Sequence, residues 1–157
     1  MKSYYIYTYG CQMNTADSER LSHQLESVGY TPTEDVETAD LILLNTCAVR
    51  ENAETKVYGR IGELMRLKRK NKNLILAVTG CMAQKNQAEM FKRAPHIDIV
   101  LGTHNIQHIN EMIEEVQRGH THQINVDMDN SVLSELDAKP NGTFYAWVPI
   151  MNRCNKF

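Results

Sequence analysis

Leu41-Ile42-Leu43-Leu44-Asn45-Thr46-Cys47 is the stretch whose reading decides the fold. Four consecutive large aliphatic residues leave no polar face. A strand built from them must be covered on both sides, as happens when a parallel sheet is layered between helices.

Working outward, Tyr4 to Tyr9 is aromatic and β-branched, ends at Gly10, and predicts a first strand whose tyrosines serve sheet packing. Thr15-Ala16-Asp17-Ser18 has the form of a helix start; Leu21, Leu25 and Val28 continue the helix at i, i+4, i+7, and Gly29 closes it. Tyr30 to Thr33 reads as a short strand that Pro32 confines to an edge. Beyond Cys47, Glu51 to about Arg69 carries Val57, Ile61 and Leu64 on one helical face and ends in a basic turn that suits the helix dipole. Leu74 to Thr79 predicts the next strand, ended by Gly80. A short helix near Gln84 to Arg93, a strand Ile97 to Leu101 and a helix Ile106 to Gln117 follow. Strands alternating with helices predict the α/β class: an open, mainly parallel five-stranded sheet of flavodoxin-like or Rossmann-like form, with helices on both faces.

Residues 1–118 thus read as one domain and 119–143, with His120, His122, Pro140 and Gly142, as a linker. Phe144 to Met151 (FYAWVPIM) has the pattern of a strand opening a second unit over 144–157, so the chain reads as the N-terminal part of a longer protein.

Seventeen basic against 19 acidic side chains give 157 residues a net charge of -2, which provides no global pull toward nucleic acid. Any RNA contact must be local or lie elsewhere. No apolar run approaches the roughly 20 residues of a membrane span, and no apolar core follows Met1, so a soluble cytoplasmic protein is expected.

The chemistry centres on Cys11, Cys47 and Cys81, each of which directly follows a predicted strand. In an open parallel sheet, ligands bind outside the carboxyl ends of the strands. Three thiols more than thirty residues apart in sequence should therefore share one rim. Such a set holds zinc with a histidine, His104 or His108 being the nearest candidates, or a [4Fe–4S] cluster whose fourth position is open. Spacing alone leaves both open, and a non-enzymatic flavodoxin-like module with structural zinc or a flavin at the same rim is the rival reading. Gly10 and Gly80 have the placement of tight turns beneath the site, and no phosphate-binding glycine motif occurs. Arg66-Leu67-Lys68-Arg69-Lys70-Asn71-Lys72 is a possible phosphate contact, but a helix C-terminus gathers cations for its own dipole.

Tyr9-Gly10-Cys11-Gln12-Met13-Asn14 with Asp17-Ser18-Glu19, then Asn45-Thr46-Cys47-Ala48-Val49-Arg50-Glu51, then Thr79-Gly80-Cys81-Met82-Ala83-Gln84 resemble the N-terminal domain of the radical-SAM methylthiotransferases, most closely their tRNA branch. The resemblance implies that Cys11, Cys47 and Cys81 ligate an auxiliary [4Fe–4S] cluster that delivers sulfur. Met151-Asn152-Arg153-Cys154 resembles the start of the family's second cluster motif, which makes Cys154 the first ligand of a radical-generating [4Fe–4S] cluster that binds S-adenosylmethionine. The implied activity of the full-length enzyme is addition of a 2-methylthio group to N6-(dimethylallyl)adenosine in tRNA, with tRNA held mainly by regions beyond this chain. The remaining ligands of the second cluster would follow Phe157, so the 157-residue chain alone is expected to be inactive.

Overall fold

The computed structural model describes residues 1–48 and 52–127. The expected strand at 144–151, the second-unit segment 144–157 with Cys154, and the Arg50-Glu51 pair lie outside the described residues.

Six strands form one sheet: β1 (Lys2–Thr8), β2 (Tyr30–Pro32), β3 (Leu41–Thr46), β4 (Ile75–Gly80), β5 (Ile99–Leu101) and β6 (Gln123–Asn125). Their spatial order is β2-β1-β3-β4-β5-β6 and every pairing is parallel. Helices α1 (Gln12–Ser27), α2 (Ala53–Lys70), α3 (Cys81–Asn86), α4 (Glu89–Arg93) and α5 (Ile109–Gln117) fill the connections. Parallel neighbours cannot be joined by a tight turn, so each connection must cross a face of the sheet, and the crossing helices cover it.

The β3 run shows why the sequence demands two layers. Leu41 and Leu43 enter a core with Leu21 and Leu25 of α1 and Ile109, Met112 and Ile113 of α5. Ile42 and Leu44 point the other way, against Val57, Ile61, Leu64 and Leu67 of α2 and Met82 and Met90. All four β3 residues are fully buried. Truncating any one to alanine is expected to cost about 2–5 kcal/mol.

Three expectations change in detail. The sheet has a sixth strand in the stretch read as linker: Gln123–Asn125 pairs with Ile99–Leu101. It is short, polar and at an edge, so it carries no hydrophobic alternation for a reader to find. Helix α1 starts at Gln12, capped by Cys11, instead of at Thr15. The expected helix near Gln84 to Arg93 is two pieces, α3 and α4, parted where Gln87 adopts φ +46°.

Candidate functional site

The chain leaves β1 for one edge of the sheet, forms β2, and returns on the other side of β1 as β3. At such a switch point the loops that follow the two strands diverge and leave a crevice at the carboxyl ends. Cys11, at the cap of α1, lies on one side of this crevice and Cys47, next after β3, on the other. Cys81 is the first residue of α3, directly after β4. Register locks the three positions together, since Thr8 lies opposite Asn45 and Thr46 opposite Gly80. The Tyr9 N–H extends the β1–β3 ladder by donating to the Asn45 carbonyl at 2.8 Å. Each of the three cysteines comes within three residues of the carboxyl end of a strand, β1, β3 and β4 in turn. Cys11 is exposed, and Cys47 and Cys81 are buried.

Buried polar side chains hold this edge. Asn14, 3% exposed, donates through Nδ2 to the Asn45 side-chain oxygen and to the Thr46 carbonyl, both at 3.0 Å. Its Oδ1 accepts from the Cys11 N–H at 3.2 Å. Asn45 returns Nδ2 to the Asn14 carbonyl at 2.7 Å and to Ser18 Oγ at 2.9 Å. Ser18 Oγ also meets Thr8 Oγ1 at 2.8 Å. The first turns of α1, and Cys11 with them, are thereby pinned to the ends of β1 and β3. Because breaking one partner strands the others without water, such a network fixes position as well as adding stability.

The glycines expected to make tight turns have a second reason to be glycine. Gly10 has φ +120°, and a Cβ there would stand 2.6 Å from the Cys47 Cβ. Gly80 has φ +95°, and its Cβ would press within 2.2 Å of the Thr46 carbonyl oxygen. On β4's far side, Gln84 of α3 donates to the Val126 carbonyl at 2.7 Å, tying the helix that begins with Cys81 to the end of β6.

Among the described residues, no three His, Cys, Asp or Glu side chains are gathered to hold a single metal ion. His108 Nδ1 is engaged with Glu111 at 3.2 Å at the start of α5. A lone tetrahedral ion needs its donors around one point, whereas an iron–sulfur cluster spreads its thiolates over separate irons and so accepts donors spaced along a rim. Three thiols with no carboxylate among them are a soft donor set that suits iron–sulfur ligation. By donor chemistry three thiols fit iron–sulfur ligation.

Two charged features complete the picture. Asp17, 8% exposed, is pushed up to about 6 by burial, with Arg20 at 3.5 Å opposing the shift. The basic run at the end of α2 is largely spent within the fold: Arg66 pairs with Glu37, Lys70 approaches the same carboxylate at 3.7 Å, and Lys68 meets Asp98 at 2.5 Å.

Fold and rim together define a doubly wound α/β domain with a cysteine-bearing switch point. Residues 3–102 match the model of the family described as uncharacterized protein family UPF0004, and the chain belongs to that family. It is similar over 100% of its length, at 44% identity, to a tRNA-2-methylthio-N(6)-dimethylallyladenosine synthase of Dictyoglomus thermophilum, of which it covers 36%. Proteins of the same name from Carboxydothermus hydrogenoformans and Clostridium botulinum are 43% and 46% identical over 99% and 98% of the chain. The chain spans about a third of the length of these curated relatives. The names of these relatives agree with the family resemblance carried by the three cysteine blocks.

Asn14 and Asn45 hold Cys11 in place, although the sequence marks neither as a site residue. Asn45 had a signal, a polar residue closing a buried apolar run; Asn14 had none apart from its place in the first motif block.

Proposed function

We propose that this chain is the cluster-binding N-terminal part of an enzyme that adds a 2-methylthio group to N6-(dimethylallyl)adenosine in tRNA. The observation that carries the reading is the succession of Cys11, Cys47 and Cys81 at the carboxyl ends of β1, β3 and β4, around the switch point where such sheets bind ligands. The names of the relatives supply the substrate class.

In this reading Cys11, Cys47 and Cys81 hold a [4Fe–4S] cluster, and its domain runs past residue 118 to include β6. When bound there, the cluster supplies sulfur to the substrate. The protein's own part is positional. Asn14 and Asn45 fix the cap residue Cys11 against β3, Gly10 lets Cys47 approach, and the buried Cys47 and Cys81 keep water from the inner side. Cys11 is the exposed thiol of the three, so an adenine edge would approach the site from its side. Cys154 belongs to a second [4Fe–4S] cluster that binds S-adenosylmethionine and is completed by residues after Phe157.

Modification analysis of tRNA tests the function. Cells lacking the full-length protein should lose the 2-methylthio group and accumulate the dimethylallyl nucleoside. Unchanged methylthiolation in those cells would contradict the reading.

A further inference from the structure

Alternation along β1 sends Tyr4 into the core, 4% exposed, and places Tyr5, Tyr7 and Tyr9 on the opposite face, all half-buried. Their rings form a continuous row, with centroids 4.7 Å apart for Tyr5–Tyr7 and 6.2 Å for Tyr7–Tyr9. Helix α2 covers β3 and β4 on this face and leaves β1 at its margin. Short β2 pairs only with Lys2 to Tyr4, and among the described strands none pairs with Tyr5 to Thr8 on the side away from β3.

From α2 the Arg60 guanidinium lies 5.1 Å from the Tyr7 ring centroid and pairs with Glu63 at 2.6 Å. Lys56, exposed and one turn nearer the rim, shares the Arg60 face of the helix. One half-buried tyrosine at the surface calls for no explanation, but a row of three with a guanidinium over one ring does. The row ends at Tyr9, two residues before Cys11, so it runs into the crevice already described. Half-buried aromatic rings that keep part of their surface accessible beside an arginine offer the chemistry that holds unpaired nucleobases, because every base has a π-face.

We infer that Tyr5, Tyr7, Tyr9 and Arg60 form a stacking platform for unpaired bases next to the modified nucleotide, guiding an RNA loop to the Cys11–Cys47 crevice. The inference rests on the RNA-substrate reading above and adds to it the residues that orient the substrate. It accounts for a local RNA contact on a chain with net charge -2: stacking supplies affinity that overall charge does not.

The test uses the whole 157-residue chain, reconstituted anaerobically, with a hairpin RNA bearing 5-bromouridine in its single-stranded loop, and a fully paired duplex with the same number of phosphates. Photocrosslinks mapped by mass spectrometry should fall on the β1 tyrosines, and the hairpin should bind more tightly than the duplex. Tyr7→Leu and Arg60→Gln should each weaken hairpin binding about fivefold or more while leaving duplex binding unchanged. If Tyr7→Leu unfolds the chain, Arg60→Gln at the surface and the crosslink map decide the matter. Crosslinks elsewhere, equal affinity for hairpin and duplex, or hairpin binding unaltered by Arg60→Gln would overturn the platform, the last two being expected if another part of the full-length protein covers this face. Iron and sulfide measured on the same samples separate this from the cluster reading. Loss of the cluster with tyrosine crosslinks intact sinks the cluster alone, and an intact cluster without those crosslinks sinks the platform alone.

Discussion

The backbone of Gly10 lies against the side chain of Cys47, so close that a β-carbon at residue 10 would stand 2.6 Å from the Cys47 Cβ and 2.5 Å from Asn14 Oδ1. Real β-carbons do not approach so closely, and φ +120° is itself unfavourable for any other residue. Gly10→Ala should therefore cost about 1–3 kcal/mol of stability and push Cys47 from its place, lowering the iron retained on reconstitution. Gly62→Ala, in the body of α2 where the added carbon meets nothing within 4 Å beyond its own helix backbone, should instead stabilise by about 0.5–1 kcal/mol. Denaturant unfolding of both variants checks the contrast; equal effects would refute it.

Asn14 gives its two amide hydrogens to buried acceptors, Asn45 Oδ1 and the Thr46 carbonyl. Asn14→Ala strands both, and should destabilise by about 2 kcal/mol or more. The midpoint of urea unfolding should fall without a change in slope. An unaltered midpoint would mean that water reaches these groups.

Asp17 offers a pH signature. Its folded carboxyl titrates at about 6, raised from 3.8 mainly by burial, with Arg20 opposing. Between those values the folded state binds more protons than the unfolded chain. Stability contributed by Asp17 therefore rises as pH falls through the folded value and is absent at higher pH. The stability of Asp17→Asn minus that of the wild type should drop by on the order of 2 kcal/mol from about pH 7.5 to about pH 4, tracked by chemical unfolding at each pH. A difference independent of pH would contradict the burial of this charge.

Lys68 and Asp98 make the corresponding case among the cations of α2. Asp98 is 4% exposed and its Oδ2 also accepts from the Leu76 N–H at 2.8 Å, so Lys68→Met leaves a buried carboxylate without its cation. The expected loss is about 3 kcal/mol. Arg69→Gln, on the exposed side of the same turn, should stay within about 0.5 kcal/mol. Thermal unfolding of the pair distinguishes a structural lysine from a solvated one.

These residues mark how far the sequence could be read. Apolar runs such as Leu41–Leu44 announce buried parallel strands because nothing else accommodates them, and glycines before or at Cys11 and Cys81 announce the turns. The positions of the cysteines were legible for the same reason: each lies just beyond a strand that periodicity reveals. Gln123–Asn125 was not, since an edge strand held by main-chain bonds to β5 needs no apolar side chains. Nor was the internal use of Arg66, Lys68 and Lys70, whose partners Glu37 and Asp98 lie about thirty residues away and meet them only in three dimensions. Packing holds along the whole Tyr4 to Tyr9 run, with Tyr4 buried in one core and Tyr5, Tyr7 and Tyr9 half-buried against the other; that the last three lie at the margin of α2 is written in no local pattern.

The central claim is that Cys11, Cys47 and Cys81 together hold one cluster. The most direct measurement is iron and acid-labile sulfide per chain after anaerobic reconstitution, for the wild type and for Cys11→Ala, Cys47→Ala, Cys81→Ala and Cys154→Ala. The account predicts a brown protein with about four irons and four sulfides, near-complete loss in each of the first three variants, and retention in Cys154→Ala. A colourless zinc protein, a yellow flavoprotein, or iron retained in full by any of the first three variants would contradict it.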